Sequence, residues 1–154
     1  MREILFRGKR TDGQWICGSL LKVTYDGNTY NLIFADNFLF ILGEATAMEH
    51  AAVDPFTVGQ FTGLTANGKK IFEGDVIQFH KFRGEPDWIG VVKYEHCSYI
   101  AAGRMPLAYE KRIGEEPYFC PFEVQISGID KDTIKVLGNI HDNPELLGGA
   151  EDVV

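Results

Sequence analysis

Three dipeptides, Asp12-Gly13, Asp26-Gly27 and Asn67-Gly68, constrain this chain more than any other feature. Asp-Gly and Asn-Gly favour tight β-hairpin turns because both central residues tolerate positive φ. Each sits beside runs rich in β-branched and aromatic residues. "WICGSLLKV" follows the first, "LLKVTY" and "NTYNLIF" flank the second, and "KKIFEGDVIQF" follows the third. Signals this closely spaced predict an antiparallel meander at the N-terminal end. Further strands are expected at Val76–Phe79, "WIGVVKYE", "CSYIAA", "FEVQIS" and "DTIKVLG", with Ile77 and Phe79 on one face. Helix is scarce. Gly43–Ala52 ("GEATAMEHAA") has fair helix propensity and is closed by Asp54-Pro55, so one helical turn and an irregular loop both fit it. Asp54-Pro55-Phe56-Thr57 reads as a capped turn, and Asn143–Leu147 has room for one helical turn.

The predicted architecture is therefore mainly β. An N-terminal β-hairpin and meander region covers 1–64, an SH3-like small β-barrel covers 65–147, and a flexible acidic tail covers 148–154. With 154 residues, the chain is long enough to bury a stable core without disulfide staples. Cys17, Cys97 and Cys120 are an odd, scattered set, giving neither a disulfide framework nor a metal knuckle. No signal peptide is expected at "MREILFRGKR". The most apolar run, Asn31–Leu42, is broken by Asp36-Asn37 and is too short to span a bilayer. A cytoplasmic location and no membrane association are the expectation. The net charge of −7 repels a polyanion at long range and disfavours wholesale nucleic-acid binding.

Candidate chemistry is sparse. Gly63-x-x-x-x-Gly68-Lys69-Lys70 is one residue away from a phosphate-binding loop, but Lys70 stands where the magnesium-ligating hydroxyl belongs. The following "IFEGDVIQF" is a poor helix former, so the helix N-terminus that would hold phosphate is not expected. Asn67-Gly68 as a hairpin turn explains the same residues. Glu73 and Asp75 are spaced to share a strand face, as an acid–base pair would, yet Asp75 serving its own turn and Glu73 in solvent is the simpler reading. His80, His96-Cys97, Cys120 and His141-Asp142 lack the spacing of a structural metal site, and adjacent His96 and Cys97 on a strand would point to opposite faces. No catalytic residue, cofactor or metal ligand is assigned. Between Lys69 and Arg83 there are four bases and two acids, so Lys69, Lys70, Lys81, Phe82 and Arg83 form a candidate patch for a partner or nucleic acid. The competing reading is a set of solvated turn residues.

"DPFTVGQFTGLTANGKKIFEGDVIQF", then "GVVKYE" and the closing "VLGNIHDNPELL", together with the opening "MREILFRGKRTDGQWICGSLLK", resemble the YopX family of phage and prophage proteins. The resemblance covers most of the chain and is weakest over Tyr99–Ser127. It implies a mostly β fold with an SH3-like portion, encoded on mobile genomes and acting inside a bacterial host, and it carries over no catalytic residues. Within its motifs, Gly63, Gly74 and Gly138 read as backbone-permissive turn positions, Asp75 as a turn residue, and Asn139, Asn143 and Pro144 as residues that fix the last turn. A phage or prophage accessory protein is expected, a non-enzymatic module that self-associates or binds another phage or host protein. Trp15, Phe38, Phe40, Phe56, Trp88, Tyr99 and Tyr118 exceed what one small core needs. The alternative is a metal-dependent enzyme or nucleic-acid binder with Glu73, Asp75 and Asp142 around a divalent ion.

Overall fold

The hairpin dipeptides govern the chain path, though not all in the same way. At Asp26-Gly27 and Asn67-Gly68 both residues have positive φ (50° and 75°, then 50° and 76°), as a tight two-residue turn requires. At Asp12-Gly13 only Gly13 does (83°). That connection is a wider loop, in which the Arg10 N–H donates to the Gln14 carbonyl and the Gly13 N–H to the Arg10 carbonyl. The computed structural model describes residues 3–35, 50–80, 87–104 and 121–147. It divides into two units, Met1–Gly63 and Leu64–Val154.

In the first unit, β1 (Phe6–Lys9), β2 (Trp15–Tyr25), β3 (Asn28–Phe34), β4 (Ala52–Val53) and β5 (Gly59–Ala66, which runs on past the unit's end) are antiparallel in the order β4-β3-β2-β1-β5. Leu5, Leu32, Ile33, Val53 and Phe61 are buried. Leu32 and Ile33 are consecutive and therefore face opposite ways, so this part of β3 is covered on both faces. The carboxylate of Asp54 accepts from the Phe56 N–H (3.0 Å) and caps the 3-10 turn Pro55–Thr57. The Thr57 hydroxyl oxygen accepts from the Lys9 N–H (2.8 Å), which ties this turn to β1. Of the passage Gly43–Ala52, residues up to Glu49 lie outside the described part; His50 and Ala51 are helical and Ala52 opens β4.

The second unit starts with the β5–β6 hairpin around Asn67-Gly68, where β6 is Lys69–Phe72. Then β7 (Asp75–Phe79), β8 (Trp88–Glu95), β9 (Ser98–Arg104), β10 (Pro121–Gln125) and β11 (Lys135–Asn139) form an antiparallel sheet in the order β10-β9-β8-β7-β11. Among the described residues no pairing joins β10 to β11, so the expected barrel appears as an open five-stranded sheet. Ile71, Ile77, Phe79, Trp88, Val92, Phe122, Ile126 and Ile134 centre the core. Ile77 and Phe79 do share a face, and Val76 on the other face is just as buried. Three rings lock it: Trp88 meets Phe122 edge-on at 4.6 Å and Phe79 meets Phe122 at 6.0 Å, a geometry that adds to simple area burial. The structure thus reassigns two aromatic residues. Trp88 belongs to this core and Tyr99 packs against it, so neither is surplus.

Among the described residues no helix is long and apolar enough to cross a membrane.

Candidate functional site

The stretch that resembled a phosphate loop is strand, tight turn and strand. Lys69 and Lys70 are exposed and begin β6. Consecutive strand residues point to opposite faces, and no helix opens behind them to present amide groups to an anion. The Asn67 side chain is otherwise engaged, donating to the Ile134 carbonyl (3.1 Å). Lys81, Phe82 and Arg83 lie outside the described residues, as do Phe38, Phe40, Tyr118 and Cys120.

The acidic residues proposed to gather round a metal have separate tasks. The β6–β7 turn is Glu73-Gly74, and Asp75 is the first residue of β7. Asp75 is buried, and its Oδ2 accepts from the Phe72 N–H (2.8 Å) across that turn. Glu73 is half-buried. Asp142 is exposed and accepts from the Asn139 side-chain amide (3.0 Å).

The closing motif is a structural knot. The Asn139 side-chain oxygen accepts from both His141 N–H (2.9 Å) and Asp142 N–H (3.0 Å), and the Asn143 N–H donates to the Asn139 carbonyl (2.9 Å). Pro144 opens the final 3-10 turn, Pro144–Leu147. Gly74 links this knot to the sheet: its N–H donates to the Val92 carbonyl and its carbonyl accepts from the Ile140 N–H, both at 2.9 Å. Gly63 and Gly74 have positive φ (87° and 79°), where a side chain is strained. Gly63, within β5, and Gly138 both differ from the turn positions expected of them, and Gly138 has no positive φ. It lies within β11 beside a bulge, and a Cβ there would collide with Oδ1 of Asn143. Its requirement is one of space.

Two surface groupings were not legible in the sequence. His80 Nδ1 lies 2.9 Å from Asp87 Oδ1, and Gln78 Nε2 donates to the other oxygen of Asp87. The second lies at the end of the β8–β9 hairpin. His96 and Cys97 were expected on a strand, facing apart. They are the two turn residues, both at positive φ (50° and 61°), a geometry for which neither side chain is a sequence signal. This turn brings His96 to Glu95 and to Glu123 of β10, with one ligand atom from each residue within 4.8 Å of the others.

A further surface of note is the β2–β3 hairpin. Its register, Leu21↔Leu32, Val23↔Tyr30 and Tyr25↔Asn28, sets Leu21, Val23, Tyr25, Tyr30 and Leu32 on one face. Leu32 is buried, but Leu21, Tyr25 and Tyr30 are 50%, 72% and 41% exposed. β4 pairs only with Asn31 and Leu32. Among the described residues, no strand pairs with the outer edge of β3 from Asn28 to Tyr30.

The YopX protein family matches residues 5–148. Two solved structures are similar over nearly the whole chain. One is protein yopX from Bacillus subtilis, 14% identical, with 96% of this chain and 97% of that one covered and a TM-score of 0.48. The other is protein EF1440 from Enterococcus faecalis, 20% identical, with 96% and 99% covered and a TM-score of 0.45. No curated protein matches the sequence.

Proposed function

The chain belongs to the YopX family, and from that premise we propose that it is a phage- or prophage-encoded accessory protein of the bacterial cytoplasm, a non-enzymatic β module that associates with a second copy of itself through the β2–β3 hairpin. The observation that carries this reading is the apolar face of that hairpin, where Leu21, Tyr25 and Tyr30 stand in water. Large aromatic and aliphatic groups grouped on one face mark interaction surfaces, whereas scattered ones do not.

Charge favours a like partner at this place. Two chains of net charge −7 repel each other, so copies meet with least cost where the surface is neutral. Residues 20–34 carry one Lys (Lys22) and one Asp (Asp26). Packing of this face against the same face of a second copy about a twofold axis would withdraw Leu21, Tyr25 and Tyr30 of both copies from water.

Light scattering coupled to size exclusion, run over a range of concentrations, tests this. The wild type should behave as a dimer. Leu21→Asp with Tyr30→Asp should give a folded monomer, because each apolar side chain withdrawn from an interface is worth about 1.5–3 kcal/mol, or a weakening of roughly a hundredfold or more for the pair. A wild type that stays monomeric at the highest concentration overturns the reading.

A further inference from the structure

We propose that Glu95, His96 and Glu123 form a binding site for one divalent first-row transition-metal ion, with the Ser98 hydroxyl supporting it. Three observations converge. The donors come from two parts of the second unit that are distant in sequence: the end of β8 and the turn after it supply Glu95 and His96, and β10 supplies Glu123. Their ligand atoms lie within 4.8 Å of one another. Metal–oxygen and metal–nitrogen bonds of about 2.0–2.2 Å set tetrahedral ligands roughly 3.4 Å apart, so rotations of three surface side chains bring the group to bonding distance.

The second observation is electrostatic. Among the described residues, no hydrogen bond or ion pair joins these three side chains to each other or to a neighbouring cation. Two carboxylates lie within 4.8 Å of each other at the surface of a chain that already carries net charge −7, a repulsion that a divalent cation reverses.

The third is Ser98. It is the cross-strand partner of Glu95, and directly opposed residues leave a hairpin on the same face. Its Oγ is closed off from solvent and has no hydrogen-bond partner, an arrangement that costs about 1–3 kcal/mol. A hydroxyl on the same face as Glu95 becomes satisfied once an ion draws that carboxylate, or a metal-bound water, to it. Such supporting groups orient the ligands that touch the metal. One imidazole with two carboxylates is a nitrogen–oxygen set suited to Zn²⁺ or Mn²⁺ and poor for soft, thiolate-seeking ions. The ion would fasten β10 to the end of the β8–β9 hairpin.

The test is calorimetric titration of the full chain with ZnCl₂ and with MnCl₂, together with thermal melts in each. The expected result is one ion per chain and a raised melting temperature. His96→Asn keeps a residue that tolerates positive φ while removing the imidazole. It and Glu123→Gln should each weaken binding by about tenfold or more and abolish the thermal shift, and Ser98→Ala should weaken it by about tenfold. Cys97→Ser should bind as the wild type does. The proposal is overturned if neither ion binds, if Glu123→Gln and His96→Asn bind like the wild type, or if Cys97→Ser alone removes binding. Melts without metal show whether each variant is folded. Since the readout is ion binding, a failure here leaves the self-association reading intact, and the reverse holds as well.

Discussion

The β2–β3 and β8–β9 hairpins turn on nearly the same backbone geometry and use different residues to do it. Asp26 and Gly27 have φ of 50° and 75°; His96 and Cys97 have 50° and 61°. The first pair adopts the left-handed region at little cost, whereas a residue such as cysteine pays about 1–2 kcal/mol there. What separates the hairpins is their surroundings. β8–β9 lies between β7 and β10, with Val91, Val92, Ile100 and Ala101 buried. The distal half of β2–β3 has water on both faces, with Lys22, Thr24 and Thr29 exposed opposite Leu21 and Tyr25. A hairpin clamped on both sides can impose its turn on residues that do not favour it. One that projects must be specified by the turn itself.

The widest gap between the two should appear on truncating a side chain. Phe79 of β7, fully buried and in ring contact with Trp88 and Phe122, is central to the core that clamps β8–β9. Phe79→Ala should cost about 3–5 kcal/mol in denaturant unfolding. Tyr25→Ala, at the wet end of the other hairpin, should cost no more than about 0.5 kcal/mol when measured below the concentration of self-association. Similar losses for the two variants would mean that the β2–β3 tip is packed in solution, and the contrast would fail.

A smaller effect, and a sharper one, concerns the turns themselves. Gly27→Ala puts a Cβ at φ 75° and should destabilise by about 1 kcal/mol. Cys97→Gly should do the opposite. It relieves left-handed strain of about 1–2 kcal/mol and adds about 0.5–1 kcal/mol of unfolded-state entropy, leaving a gain of up to roughly 1.5 kcal/mol in thermal melts. If Cys97→Gly lowers the melting temperature, the β8–β9 turn is not imposed from outside.

The same contrast explains what the sequence made legible. Strand alternation and glycine dipeptides report local cost, so the antiparallel class, the Asp26-Gly27 and Asn67-Gly68 turns and the Asp54 cap could all be read from residues a few positions apart. The His96-Cys97 turn lacks the Asp-Gly or Asn-Gly dipeptide that marks such turns. Trp88 and Tyr99 looked surplus because the size of the second core depends on Phe122, Ile126 and Ile134, whose partners are distant in the chain. Gly138 reads as a turn residue until Asn143 is seen folded against it. The Glu95, His96 and Glu123 grouping is invisible for a related reason: its third member arrives from β10, which is placed by pairing with β9.

The smallest effect separates a loop from a turn. Asp12-Gly13 carries the same signal as Asp26-Gly27, yet Asp12 does not take positive φ. Its carboxylate accepts from the Gln14 N–H (3.0 Å) and pairs with Arg10 (2.9 Å), both at the surface. Asp12→Asn retains an oxygen for the Gln14 amide and gives up only the ion pair, which at an exposed site is worth about 0–1 kcal/mol and is screened by salt. Asp12→Ala gives up the amide contact too, a further loss of about 0.5–1.5 kcal/mol. Melts at low and high salt should therefore show the Asn variant converging on the wild type as salt rises, with the Ala variant remaining below both. If Asp12→Asn stays low in high salt, something other than the Arg10 ion pair is lost, and the account of Asp12 as an ion-paired loop residue fails.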